Sequence, residues 1–105
     1  MPPNRNYIRG RTKEYQTQET LEKLGYKTYR SAGSKSPVDI FAFLSQNNTE
    51  QPIIRAIQVK FSKYVSKKDI QELTKLKLPA VVKKEIWHYR KYKAVRIIEC
   101  NKENT

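Results

Sequence analysis

Val38-Asp39-Ile40-Phe41-Ala42-Phe43-Leu44, followed by Ile53-Ile54-Arg55-Ala56-Ile57-Gln58-Val59-Lys60-Phe61, are the two apolar runs that decide the fold of this chain. Each has the length and the aromatic or β-branched content of a strand. The polar stretch between them, residues 45–51, suits the turn of a hairpin. Side chains alternate faces along a strand, so Gln58 and Lys60 project together, away from Ile57, Val59 and Phe61. Asp39 opens the neighbouring strand, preceded by Pro37, and shares a face with Phe41 and Phe43. Hairpin pairing therefore brings Asp39, Gln58 and Lys60 to one edge of one sheet.

Working outward, residues 27–30 read as a short strand followed by a Ser-Ala-Gly-Ser turn. Thr12 is placed to cap a helix running to about Leu24, with Gly25 at the C′ position that ends it. The inward stripe of that helix reads Glu14, Thr17/Gln18, Leu21 and Leu24. Residues 67–76 fit a second helix, capped by Ser66, with Ile70, Leu73 and Leu76 on its apolar face and Leu78-Pro79 breaking it. Residues 85–90 and 94–100 alternate as two final strands joined by a tight basic turn. Residues 1–6 and 101–105 read as loose ends. The predicted order is helix, three strands, helix, two strands: one α/β domain over residues 1–105, a mixed central sheet flanked by two helices.

The 105 residues carry 22 Lys and Arg against 10 Asp and Glu, a formal net charge of +12. Such an excess in a small body implies a polyanionic partner, with affinity that falls as salt rises. One cysteine, Cys100, excludes an internal disulfide framework and a multi-cysteine zinc site, and its place in an apolar alternation implies packing. One histidine, His88, cannot build a histidine metal cage. No apolar run approaches the length of a membrane span, and no apolar signal core opens the chain; an intracellular, cytoplasmic protein is expected.

An acid, an amide and a lysine on one sheet edge are the groups that metal-assisted phosphodiester hydrolysis uses. Glu14, on the inward helix face, is the natural fourth member. Asp39 would bridge cations, Glu14 would ligate directly or through water, and the Gln58 side-chain carbonyl and Val59 main-chain carbonyl would add neutral oxygens. Lys60 would orient the attacking water and offset charge on the phosphorane. Each residue also has an ordinary role: Glu14 beside a helix N-terminus, Asp39 as a turn cap, Lys60 as a solvated edge-strand charge. The ordered set on helix, strand and strand separates the two readings.

Arg9-Gly10, Glu14 four residues after the glycine, the run Arg30-Ser31-Ala32-Gly33-Ser34 leading to Val38-Asp39, and then Val59-Lys60 resemble the archaeal-type Holliday-junction resolvases of the PD-(D/E)xK, restriction-endonuclease-like superfamily. The resemblance covers about residues 9–60, and the RSAGS run is its most specific part. It implies a restriction-endonuclease-like core and a Mg2+- or Mn2+-dependent endonuclease of DNA recombination and repair. Members usually act as a homodimer cutting opposed strands of a four-way junction. Glu14, Asp39 and Lys60 match catalytic positions, and Ser31 and Arg30 match the serine and arginine near the scissile phosphate. Gln58 stands where most members have glutamate, which keeps an oxygen ligand but removes a negative charge. After Lys60 the chain departs from the cellular resolvases, and Lys84-Glu85-Ile86-Trp87-His88-Tyr89 resembles the final strands of compact phage- or virus-borne nucleases.

Arg5, Arg9 and Arg11 are placed before the first helix, while Arg30, Lys35, Lys63, Lys67 and Lys68 flank the site strands, to track phosphates on either side of the cut. Lys83, Lys84, Arg90, Lys91, Lys93 and Arg96 form a second cluster, interleaved with Trp87, Tyr89 and Tyr92. Stacking of splayed bases on those rings is one reading, and packing of Trp87 and Tyr89 beneath the second helix is the favoured one. Three functions are in competition: a dimeric junction resolvase, a nickase or single-strand/flap endonuclease of the same fold, and a non-catalytic DNA-binding protein with a decayed site.

Overall fold

A computed structural model describes residues 5–31, 36–45 and 52–101, without the side chains of 5–10. In chain order the elements are α1 (Arg5–Lys23), β1 (Lys27–Arg30), β2 (Ile40–Leu44), β3 (Ile53–Phe61), α2 (Lys67–Lys75), β4 (Val82–Tyr89) and β5 (Arg96–Glu99). The strands form one sheet in the order β1-β2-β3-β4-β5. All neighbours are antiparallel except β3 and β4, which are parallel and joined through α2. A parallel pair needs a crossover, and α2 supplies it.

The strand alternation sorts the core into two layers. Ile40, Ala42, Ile57, Trp87 and Tyr89 face Leu21 of α1 and Tyr26. Ala56, Val82 and Ile86 face the other way, onto Leu73 of α2, Val38 and Cys100, with Phe41, Ile54, Ile70 and Leu76 packed around them. Trp87 and Tyr89 therefore lie under the first helix, not the second. In the parallel register Val59 faces Trp87 and Phe61 faces Tyr89, which commits both aromatics to the α1 side. Cys100 is buried, as its apolar alternation implied.

Helix ends follow local chemistry. Gly25 has φ +98° and its N–H donates to Glu22 O at 3.0 Å, while Tyr26 N–H donates to Leu21 O at 3.0 Å. This is the paired-bond helix stop that glycine favours, closed by the Leu21–Tyr26 contact in the α1-side core. Ser66 caps α2 by accepting from Asp69 N–H at 3.1 Å. At the other end of α2, Lys84 is buried and its Nζ donates to Thr74 O and Leu76 O at 2.6 and 3.1 Å. Lys84 thus ties off helix carbonyls and leaves the basic surface cluster.

Several expected boundaries shift. α1 begins at Arg5, not at Thr12, so Arg5, Arg9 and Arg11 lie within the helix and Glu14 lies beyond its first turn. An Arg-rich opening carries no cap signal, yet the helix extends through it. Leu24 is 65% exposed because the helix stops before it. β2 begins at Ile40 and β4 begins at Val82, three residues ahead of 85. The 32–34 turn, the hairpin tip at 46–51 and the ends 1–4 and 102–105 lie outside the described residues. Among the described residues no helix is long and apolar enough to cross a membrane.

Candidate active site

Asp39 is held by backbone pairing just before β2 begins. Its N–H donates to Ile57 O at 2.8 Å, its carbonyl accepts from Ser31 N–H at 2.8 Å, and its Oδ2 accepts from Val59 N–H at 2.8 Å. The regular β2–β3 register ends at Ile40 opposite Ile57, and the Asp39 N–H bond to Ile57 O departs from it, so Asp39 is bonded to Ile57 and Val59, the two chain neighbours of Gln58. Gln58 and Lys60 share the parity of Ala56 and so the α2 face, as the alternation predicts, whereas Asp39 lies ahead of β2 and reaches β3 through the Val59 N–H. Burial pushes the Asp39 carboxyl above the usual aspartate value of 3.8, against the Val59 N–H, which favours the anion. The Glu14 carboxylate raises it further, while the Lys60 and Arg30 cations pull it down. Glu14 comes from α1, behind the sheet, yet its charge meets that of Lys60 around Asp39 at the end of β3.

Gln58 is 9% exposed, and its Oε1 is sealed from solvent with no hydrogen-bond partner. An unpartnered buried carbonyl oxygen is a standing cost. Beside a carboxylate, it fits the donor set of a hard cation, which takes neutral and anionic oxygens together. Among the described residues no three His, Cys, Asp or Glu side chains form a metal cluster. Val59 meets Asp39 through its N–H, which leaves its carbonyl role an expectation.

Lys60 Nζ lies 3.3 Å from Asp69 Oδ1, a partner the sequence reading missed. Its signal was the Ser66-x-x-Asp69 spacing, a capping pattern read only as a helix start. Burial alone would raise the Asp69 pKa, but hydrogen bonding to Ser66 and the Lys60 charge outweigh it and hold the group below 3.8. His88, opposite Lys60 in the register, is also buried. Its Nε2 lies 2.7 Å from Ser62 O and its Nδ1 accepts from Arg96 Nη2 at 3.2 Å, which selects the Nε2–H tautomer.

Arg30 donates from Nε and Nη2 to Glu14 Oε1, both at 3.3 Å, and from Nη1 to Tyr15 OH at 3.2 Å. Its guanidinium sits 4.9 Å from the Tyr15 ring centroid, and Arg11 sits 5.7 Å from the same ring. Tyr15 thus organises two candidate phosphate-binding arginines, which the sequence reading did not anticipate. Ser31 is partly buried beside Asp39, while Lys63, Lys67 and Lys68 are exposed. The Arg9 side chain and Lys35 lie outside the described residues. Glu14, Arg30, Asp39, Gln58 and Lys60 are thus brought together, and Lys63, Lys67 and Lys68 lie on the segment that follows Lys60.

A mixed five-stranded sheet between two helices, with the acid just ahead of its second strand and the lysine on its third, is the restriction-endonuclease-like architecture. The chain has this fold in common with a solved structure, that of Archaeoglobus fulgidus Hjc, a Holliday junction resolvase from an archaeal hyperthermophile. The two superpose with a TM-score of 0.63 at 23% identity, over 88% of this chain and 73% of that one. No protein-family model matches the sequence. No curated protein matches it either.

Proposed function

We propose that this chain is a single nuclease domain, a Mg2+- or Mn2+-dependent DNA endonuclease that resolves four-way junctions as a homodimer. The observation that carries the reading is the surrounding of Asp39: Glu14 and Lys60 within electrostatic reach, and an unpartnered oxygen on Gln58, the residue between the two that Asp39 bonds to. A protein that only binds DNA gains nothing from two carboxylates at the centre of its basic surface, because they repel the phosphates it must hold. The shared fold with a junction resolvase supports the substrate class.

Asp39, Glu14, Gln58 and the Val59 carbonyl would hold the cation. When bound, it would polarise the phosphoryl oxygen and offset charge that builds up there. Lys60 leaves Asp69 to orient the attacking water and to neutralise the phosphorane, and the cut leaves a 5′-phosphate and a 3′-hydroxyl. Arg30, with Ser31 beside it, exchanges Glu14 for the scissile phosphate. Arg9, Arg11, Lys35, Lys63, Lys67 and Lys68 track the flanking backbone without reading bases.

The test is incubation of the purified protein with a synthetic four-way junction, a duplex, a flap and a single strand in Mg2+. Paired nicks on opposed junction arms are expected. Lys60→Ala should abolish them while changing junction affinity in EDTA by less than about threefold. Cuts confined to unpaired strands would replace the resolvase with a flap or single-strand nuclease. Full cleavage by Lys60→Ala would remove the site.

A further inference from the structure

The carboxyl ends of β3 and β4 hold a second set of cations that the site above does not use in full. These strands are the parallel pair of the sheet. In open α/β sheets, ligands favour the crevice beyond such strand ends. Here a cleft of about 420 Å3 is lined by Phe61, Ser62, Lys63, Arg90, Lys91 and Lys93. Four of those six side chains are cationic and none is acidic. The volume lies within the roughly 300–1,000 Å3 of small-molecule sites.

Arg90 is incompletely satisfied. Its Nη2 donates to Ala94 O at 3.3 Å, whereas its Nε is sealed from solvent with no acceptor. A sealed donor next to three lysines is set for an oxygen that arrives with an anionic ligand. Phe61 adds an apolar wall, so the cleft can take a flat hydrophobic group as well as a phosphate. Two exposed tyrosines adjoin the lining residues in sequence: Tyr64, 75% exposed, and Tyr92, 94% exposed. Lys63 and Lys91 sit over these rings, 5.6 and 5.3 Å from their centroids. Tyr92 has φ 61°, a left-handed conformation that costs a residue with a β-carbon. The Tyr92 ring lies outside the core with its face open to a partner.

We infer that this cleft is a nucleotide subsite for an unpaired position of the DNA strand. Arg90, Lys63 and Lys93 take the phosphate, the base lies against Phe61, and Tyr92 and Tyr64 offer outer stacking faces. Its place relative to the cut rests on the nuclease reading above. Lys63 follows Lys60 by three residues, at most about 11 Å of chain. That corresponds to about three nucleotides at 3.4 Å of rise each. Occupancy of the cleft would make the enzyme favour DNA in which a nucleotide near the scissile phosphate has left its partner.

The test is fluorescence anisotropy in EDTA with a labelled single-stranded dodecamer, the same strand with two central abasic residues, and a blunt duplex of the same length. Wild type should bind the intact strand about tenfold more tightly than the abasic one. Arg90→Ala/Lys93→Ala should lose about tenfold on the intact strand, no more than about threefold on the duplex, and its discrimination against the abasic strand. The dependence of log K on log salt for the strand should become shallower by up to about 0.7, the contribution of the one phosphate the cleft holds. Lys63→Ala, an exposed position away from the Arg90–Ala94 turn, should lose its discrimination between the intact and abasic strands in the same way should the double variant not fold. Equal losses on strand and duplex, or indifference to abasic sites, would overturn the subsite. Strand binding as described without any cleavage in Mg2+ would instead overturn the nuclease reading and leave the subsite standing.

Discussion

Replacing Gln58 by glutamate tests the site at its most unusual position. Asp39 is bonded to both chain neighbours of position 58, its N–H to Ile57 O and its Oδ2 to Val59 N–H, so a carboxylate at 58 would stand about 5 Å away, the spacing of cross-strand neighbours. Two carboxylates at about 5 Å and an effective dielectric of about 20 repel by about 3 kcal/mol. Position 58 is also 9% exposed, so water does little to screen the new charge. Gln58→Glu should therefore destabilise the cation-free protein by about 3 kcal/mol at pH 8. For a domain of this size, that is on the order of 12–24 °C in Tm. The penalty should shrink at pH 5, where the acid pair can share a proton. A cation at 100 times its Kd restores about 2.7 kcal/mol, so saturating Mn2+ should recover most of the loss. Thermal unfolding followed by circular dichroism, in EDTA and in Mn2+ at both pH values, measures all of this. The Mg2+ concentration giving half-maximal cleavage should fall in the variant. An unchanged melt in EDTA, or a Mn2+-induced rise no larger than in wild type, would refute the placement of residue 58 beside Asp39.

Other substitutions probe the remaining contacts. Asp39 is held above 3.8 in the fold, so its charged form costs stability at neutral pH and that cost is absent below 3.8. Asp39→Asn, whose amide oxygen still accepts from Val59 N–H, should be more stable than wild type to urea at pH 7 but not at pH 3.5, and inactive; lower stability at pH 7 would contradict this. Asp69 is held below 3.8, so it stabilises the fold above that pH and the contribution is lost as pH falls through its lowered pKa. Asp69→Asn should lose about 0.5–1 kcal/mol at pH 7, the range for partly solvated pairs, with the difference vanishing at pH 2.5. Thr17 is buried and its Oγ1 lies 2.6 Å from Tyr89 OH, so Thr17→Val should lower the urea midpoint by the equivalent of about 1–3 kcal/mol through the orphaned phenol.

Both helices, all five strands and their order were legible in the sequence, because period-two runs and helix stops report on local geometry. Ser66 capping α2 and Gly25 ending α1 are decided within four or five residues. Errors fell where the signal was absent or distant. The Arg-rich start of α1 has neither cap nor apolar stripe. The first residues of β4, Val82, Lys83 and Lys84, looked like surface. Lys84 became buried because the carbonyls ending α2 lie within reach of it, a fact of packing. Trp87 and Tyr89 were recognised as core but assigned to the wrong layer, because alternation shows that two residues share a face without saying which helix covers it.

The candidate site divides the same way. That Gln58 and Lys60 point to one side of the sheet follows from the parity of their positions in β3, and the hairpin brings Asp39, just ahead of β2, to the same end of that strand. Parity is a property of the extended backbone and needs no tertiary contact. How those groups are charged, paired or left unpaired depends on what arrives from elsewhere. Arg30 reaches Glu14 from β1, Asp69 takes Lys60 from α2, Tyr15 lies beneath two arginines, and the Gln58 oxygen receives no donor. The Arg30–Glu14 and Lys60–Asp69 pairs join residues 16 and 9 positions apart, each between a helix and a strand. Electrostatic energies depend on through-space separation and burial, which only the packed fold determines.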